Sequence, residues 1–172
     1  MRFVSTRFGE LEVADQDVVH FQKGILGFER LSKFALLPYR EDSPFFLLHS
    51  IEEPDLCFVV TNPDWFRPDY KVEINEDDMR ELAALGCEEI SVFAIVTVPE
   101  NPKDITANLL APLLVNRKNG YAKQTVQRES VYRTRHLISE EIRRAEALSS
   151  TRTPNETAAS VRLVEAEKIR AG

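Results

Sequence analysis

His49, Ser50 and Asp55 are the residues of this sequence that could be assembled into a hydrolase. A histidine can take the proton of a serine hydroxyl when a carboxylate orients its ring. Neighbours on an extended segment point to opposite faces, however, so His49 and Ser50 do not readily share a hydrogen bond. The plainer reading is a polar pair ending a strand, with the hydrolase as a remote alternative. Carboxylates crowd two loops: Glu52, Glu53 and Asp55 surround Pro54, and Asp64 and Asp69 flank the stretch WFRP. A calcium loop needs alternating oxygen ligands and a sharp glycine turn, which neither loop has, so solvated acidic rims are expected. Cys57 and Cys87 lie in apolar segments outside any CxxC or Cys/His cluster and are expected as buried free thiols, not disulfide or zinc ligands. GxSxG, Walker, HExxH and GxGxxG patterns are absent, and GILGFE at 24–29 lacks the glycine spacing and the long following helix of a phosphate cradle. The expectation is a protein with no catalytic residues, no metal and no cofactor.

Recognition chemistry is better represented. SPFFLLHS and NPDWFRPDY put Phe45, Phe46, Trp65, Phe66 and Tyr70 beside Pro44, Pro63 and Pro68. Proline restricts the backbone and favours pre-shaped contact surfaces. Trp65, Phe66 and Arg67 together make an anchor of the kind that dominates protein interfaces; the rival reading has Phe45 and Phe66 pointing into the barrel. Arg117, Lys118, Lys123, Arg128, Arg133 and Arg135 interleave with Tyr121 and Tyr132, a combination single-stranded RNA binders use. A direct RNA-binding regulator using this basic hairpin at 117–135 is the alternative function.

These residues need elements to hold them. Short strands are expected at 18–21, 34–37, 45–49, 57–61, 70–74, 89–98, 113–117 and 121–127, with Gly or Pro between many of them, which argues for a sandwich or barrel. Phe8, Leu11 and Val13 with Glu10 and Glu12 between them add a further strand pattern. The last two strands flank KNG, and Asn119-Gly120 predicts a type I′ hairpin turn. One helix interrupts: Asn75 caps EDDMRELAAL, acidic residues fill its first turn, Met79, Leu82, Ala83 and Leu85 form its apolar stripe, and Gly86 is the expected stop. After 138 the composition changes. SEEIRRAEALSS allows a short helix with Ser139 as N-cap, SSTRTPNETAAS reads as a linker, and SVRLVEAEKIRAG allows a narrow amphipathic helix.

With 172 residues, 43% hydrophobic, the chain can build one core without staples. No apolar run approaches the roughly 20 residues of a membrane span, and the N-terminus has no apolar signal core, so a soluble cytoplasmic protein is expected. The net charge of -6 is unevenly spread: residues 1–116 carry 21 acidic against 10 basic side chains, 117–138 carry 1 against 6, and 139–172 carry 6 against 6. An acidic body repels a phosphate backbone and favours a basic protein partner.

TRFGE at 6–10, GILGFE at 24–29, SPFFLLHS at 43–50, PDLCFVVTNPDWFRPDY at 54–70 and AIVTVPENPKDITANLLAPLLVN at 94–116, in that order, resemble the flagellar assembly factor FliW family over about residues 2–136. The resemblance implies an all-β fold: a small antiparallel β-barrel-like domain at 1–138 with one short helix, here followed by a C-terminal helical extension at 139–172, partly helical or disordered. It also implies a non-enzymatic regulator. Such a protein binds the translational regulator CsrA, a basic RNA-binding dimer, relieves its repression of flagellin mRNA, and binds flagellin in a partner switch. Family members stop soon after the strand region that ends here near His136, so the extension is a departure. Exposed-looking chemistry nominates Glu52, Glu53, Asp55, Asp64, Trp65, Arg67, Asp69 and Asn108 as partner-binding residues. Asn108 has a structural rival, since an amide before LLAP also suits a turn.

Overall fold

The computed structural model describes residues 1–128 and 130–149. The linker and the final amphipathic segment expected beyond 149 lie outside them.

Eleven strands and two helices are found among the described residues. They are β1 (Arg2–Ser5), β2 (Gly9–Glu12), β3 (Val18–Phe21), β4 (Lys33–Pro38), β5 (Phe45–Ser50), β6 (Cys57–Thr61), α1 (Glu76–Glu81), β7 (Ile90–Thr97), β8 (Thr106–Ala107), β9 (Leu113–Asn116), β10 (Tyr121–Gln124), β11 (His136–Leu137) and α2 (Ile138–Leu148). Seven strands close into a barrel in the order β3, β4, β5, β6, β7, β9, β10 and back to β3. Every pairing in the ring is antiparallel except the last, where β10 runs parallel to β3 with Tyr121 opposite His20. β7 is long enough to change partner along one edge: Ile90 to Phe93 face β9, and Val96 and Thr97 face β8, which continues to β11. Its first half thus closes the barrel and its second half carries a side wing.

Alternation of side chains along each strand sorts the core into an inside and an outside. Phe21, Phe34, Leu48, Val60, Phe93, Leu113 and Ala122 fill the barrel. The intervening residues face outward and are also buried, because three covers lie on them. The β1–β2 hairpin covers Val18 and Ala35 with Phe3 and Val13. α1 covers Ile90 and Leu114 with Leu82. The 62–70 loop, β8 and α2 cover Phe45, Leu47 and Ala94 with Phe66, Ile105 and Ile138. Phe45 and Phe66 are both fully buried, in the outer layer and not inside the barrel.

Four expectations need correction. The 70–74 segment forms no strand: the Lys71 N–H donates to the Tyr132 hydroxyl, and the Glu73 N–H and C=O are met by the Gln127 side-chain amide instead of a neighbouring strand. The β9–β10 connection is a four-residue loop and not a type I′ turn: Gly120 has φ +76°, but Asn119 is not left-handed and accepts from the Tyr121 N–H instead. Glycine is required at 120 because an added Cβ would lie 2.8 Å from the Val18 carbonyl oxygen, where β10 closes onto β3. α1 ends before Gly86, at Ala83, whose φ is +47°; the Ala84 N–H reaches Met79 O and the Ala83 N–H reaches Arg80 O, the paired bonds of a Schellman stop. Leu85 is consequently exposed, outside the stripe. Ser139 sits inside α2, where its hydroxyl donates to Lys103 O, and Leu137 holds the N-cap position.

Candidate functional site

β6 divides the nominated residues into two groups. The 51–56 turn precedes this five-residue strand and the 62–70 loop follows it, so about 16 Å of strand separates them.

At the first end, Glu52 is not a free charge. Its Oε2 accepts from the Ser32 N–H at 2.6 Å and the Lys33 N–H at 2.8 Å, and the Lys33 backbone bond chiefly holds its carboxyl below the ordinary value of 4.5. Ser50 Oγ accepts from the Glu52 and Glu53 N–H groups and shapes the turn. Glu53 and Asp55 are exposed with no hydrogen bond or ion pair from their carboxylates among the described residues. His49 is buried beneath the β1–β2 hairpin, with Nδ1 2.7 Å from Ser50 O and Nε2 2.7 Å from Ser5 Oγ. A carbonyl only accepts, so in the neutral ring Nδ1 carries the proton and Nε2 accepts from the Ser5 hydroxyl. The ring does not address the Ser50 hydroxyl, and the hydrolase geometry is not formed.

At the second end, Asn62 caps the short turn Pro63–Trp65 by accepting from the Asp64 N–H, which leaves the Asp64 carboxylate exposed. Trp65 is half-buried between Phe45 and Phe66, and its Nε1–H donates to Thr61 Oγ1 at 2.8 Å. Arg67, expected as an exposed anchor, is 8% exposed. Its Nη1 donates to Glu141 at 2.7 Å, its Nε donates to Asp69 at 3.0 Å, and its guanidinium lies over the Tyr132 ring. Asp69 also takes two N–H groups from Arg144 at 2.9 and 2.7 Å, and these bonds chiefly hold its carboxyl far below the usual carboxylate range. Tyr70 donates to Leu109 O at 2.6 Å, and burial pushes its phenol pKa upward. This bond brings the loop beside Asn108, whose Oδ1 accepts from the Ala111 N–H and holds the turn.

Sequence spacing gave no sign of the residues that fix this loop: Tyr132, His136, Glu141 and Arg144 come from a segment whose contacts lie 61 to 75 positions away. The one local clue is that Glu141 and Arg144 stand three apart on a helix, where they share a face.

Two lysines of the basic hairpin are neutralised. Lys118 pairs with Glu89 at 2.6 Å, and Lys123 pairs with Asp78 at 2.7 Å and Glu81 at 3.1 Å. Burial works against the Lys123 charge, but these two carboxylates outweigh it and raise its pKa. Arg117 donates to Glu88 O. Arg128, Arg133 and Arg135 remain exposed.

The thiols divide. Cys57 is half-buried, and burial pushes it up to about 11, so it is a poor nucleophile. Cys87 is exposed, against expectation, because the segment after α1 stays at the surface. Among the described residues no group of three or more His, Cys, Asp and Glu side chains could hold a metal ion, and no helix is long and apolar enough to cross a membrane.

Comparison with known proteins agrees with this architecture. The family model described as FliW protein matches residues 2–138. A flagellar assembly factor FliW from Alkaliphilus metalliredigens is 38% identical over 148 residues, covering 86% of this chain and 91% of the relative. Another, from Heliobacterium modesticaldum, is 41% identical over 138 residues, covering 80% and 90%. A crystal structure of the flagellar assembly factor FliW superimposes with a TM-score of 0.74 at 30% identity, covering 80% of this chain and 96% of that one. With a closed barrel, its covering loops and these matches in agreement, the chain belongs to the FliW family of flagellar assembly factors.

Proposed function

We propose that this chain works as a partner switch: it binds the translational regulator CsrA, relieving repression of flagellin mRNA, and it binds flagellin in exchange. The observation that carries the reading is the disposition of charge. Lys118 and Lys123 are satisfied internally, whereas Glu53, Asp55 and Asp64 stand exposed. A surface that offers free carboxylates and pairs the two lysines of its hairpin suits a cationic protein better than a phosphate backbone. The same pairing removes two of the six basic residues from the RNA-binding alternative and leaves Arg117, Arg128, Arg133 and Arg135 without a carboxylate partner among the described residues.

The test is a gel shift with flagellin leader RNA. The chain alone leaves the RNA unshifted, CsrA shifts it, the chain added to CsrA releases it, and flagellin restores the shift. A shift by the chain alone supports the RNA-binding reading instead. Failure of the purified chain to pull down both CsrA and flagellin from its own source sinks the proposal.

A further inference from the structure

The 62–70 loop contains a buried cation, and a helix from the other end of the chain answers it. Taking a guanidinium and a carboxylate out of water costs several kcal/mol per ion, repaid only when the remaining donors and acceptors are satisfied. Here both carboxylates are satisfied: Glu141 accepts from Arg67 on Oε2 and from His136 Nδ1–H on Oε1, while Asp69 accepts from Arg67 Nε and from two N–H groups of Arg144. Such a set adds little net stability but specifies which surface is accepted. Apolar anchoring of α2 is modest, with Ile138 fully buried, Ile142 partly so and Leu148 67% exposed. Leu137 provides no side-chain cap, and an isolated helix of this length is marginal in water. The seat, by contrast, stands on the barrel strands β5 and β7 and on the fully buried Phe66. A rigid seat with a directed charge pattern holds a helix that would scarcely persist alone.

We infer that the seat beneath α2 is a binding site for an amphipathic helix, and that α2 is its intramolecular occupant. The matching partner helix offers a carboxylate to Arg67, a guanidinium three residues further to Asp69, and two aliphatic side chains four apart in the places of Ile138 and Ile142. The inference rests on the reading of the 62–70 loop as a partner surface. α2 follows β11 with no intervening residue, so its effective concentration at the seat is on the order of millimolar or higher. A free helix therefore binds well only where α2 has been lifted.

The experiment uses the full chain and a fluorescent synthetic peptide with the sequence of residues 137–149, without CsrA or flagellin, so that it can fail independently of the partner-switch reading. In the Ile142→Asp, Arg144→Ala double variant, amides of 138–148 exchange with deuterium rapidly while those of β4–β6 stay protected. The peptide then binds at least about tenfold more tightly than to the unaltered chain, a difference of about 1.4 kcal/mol. Adding Asp69→Arg to that background abolishes binding, and a peptide carrying Glu in place of Arg144 restores it. Continued protection of 138–148, rapid exchange without tighter peptide binding, or indifference to Asp69→Arg each overturns the inference. If the double variant loses protection in β4–β6, the Arg144→Ala single variant is judged by the same outcomes.

Discussion

Glu52 devotes one carboxylate oxygen to two backbone N–H groups twenty and nineteen residues away. It acts as a clasp between the 51–56 turn and the start of β4. Glu52→Ala is expected to lower unfolding free energy by about 1 kcal/mol, below the range for buried charged hydrogen bonds because solvent competes at this exposed position. The backbone bond from Lys33 chiefly depresses the folded-state pKa below 4.5. The stabilisation is therefore fully present above 4.5 and is lost as pH falls through the lower folded value. Urea midpoints of both proteins should converge as pH is lowered through and below 4.5; a gap independent of pH rejects this. Nothing local in the sequence separates Glu52 from Glu53 and Asp55, since its donors come from residues 32 and 33. Arg67 illustrates the same blindness: its neighbours Trp65 and Phe66 suggest an interface, whereas Glu141 and Tyr132, which bury it, are brought by distant segments. Asn108 was legible as a turn-forming amide because Ala111, its donor, is three residues on.

At the scale of elements, the barrel strands were legible because strands buried on both faces read as short, nearly continuous apolar runs bounded by turn residues. Cys57–Thr61 and Val18–Phe21 match their expected limits. Two-residue β8 and β11 carry no pattern of their own and exist through pairing with β7 and each other. β1 went unforeseen, and 70–74 resembled a strand because its sequence is strand-like while its backbone partners are the Gln127 and Tyr132 side chains. The end of α1 was misplaced for an identifiable reason: Gly86 is the residue that usually stops a helix, but Asn116 and Asn119 Nδ2 groups bond the carbonyls of Leu82 and Ala83 and draw the stop forward. An alanine at φ +47° bears a penalty that glycine escapes. Ala83→Gly is expected to raise stability by about 1 kcal/mol, measured as a higher urea midpoint with unchanged slope; a lower midpoint rejects that account of the stop.

For the whole molecule, the charge bookkeeping read from the sequence gains positions. The acidity of the first 116 residues is partly consumed by the basic hairpin, through Asp78, Glu81 and Glu89, and what remains free includes Glu53 and Asp55. Under the proposed function, Glu53→Lys with Asp55→Lys weakens CsrA binding about tenfold at low salt and flattens its salt dependence. Affinity unchanged in the variant across low and moderate salt rejects that electrostatic contribution. The parallel pairing of β10 with β3 also governs how the chain is made. Its partners, His20 and Tyr121, are about a hundred residues apart, so the ring cannot close on the ribosome until nearly all of the barrel has been synthesised. Until then the β3 edge has no partner, an invitation to wrong pairing. Closure this non-local places folding on the order of milliseconds to seconds, and the barrel is completed only after its last strand has emerged.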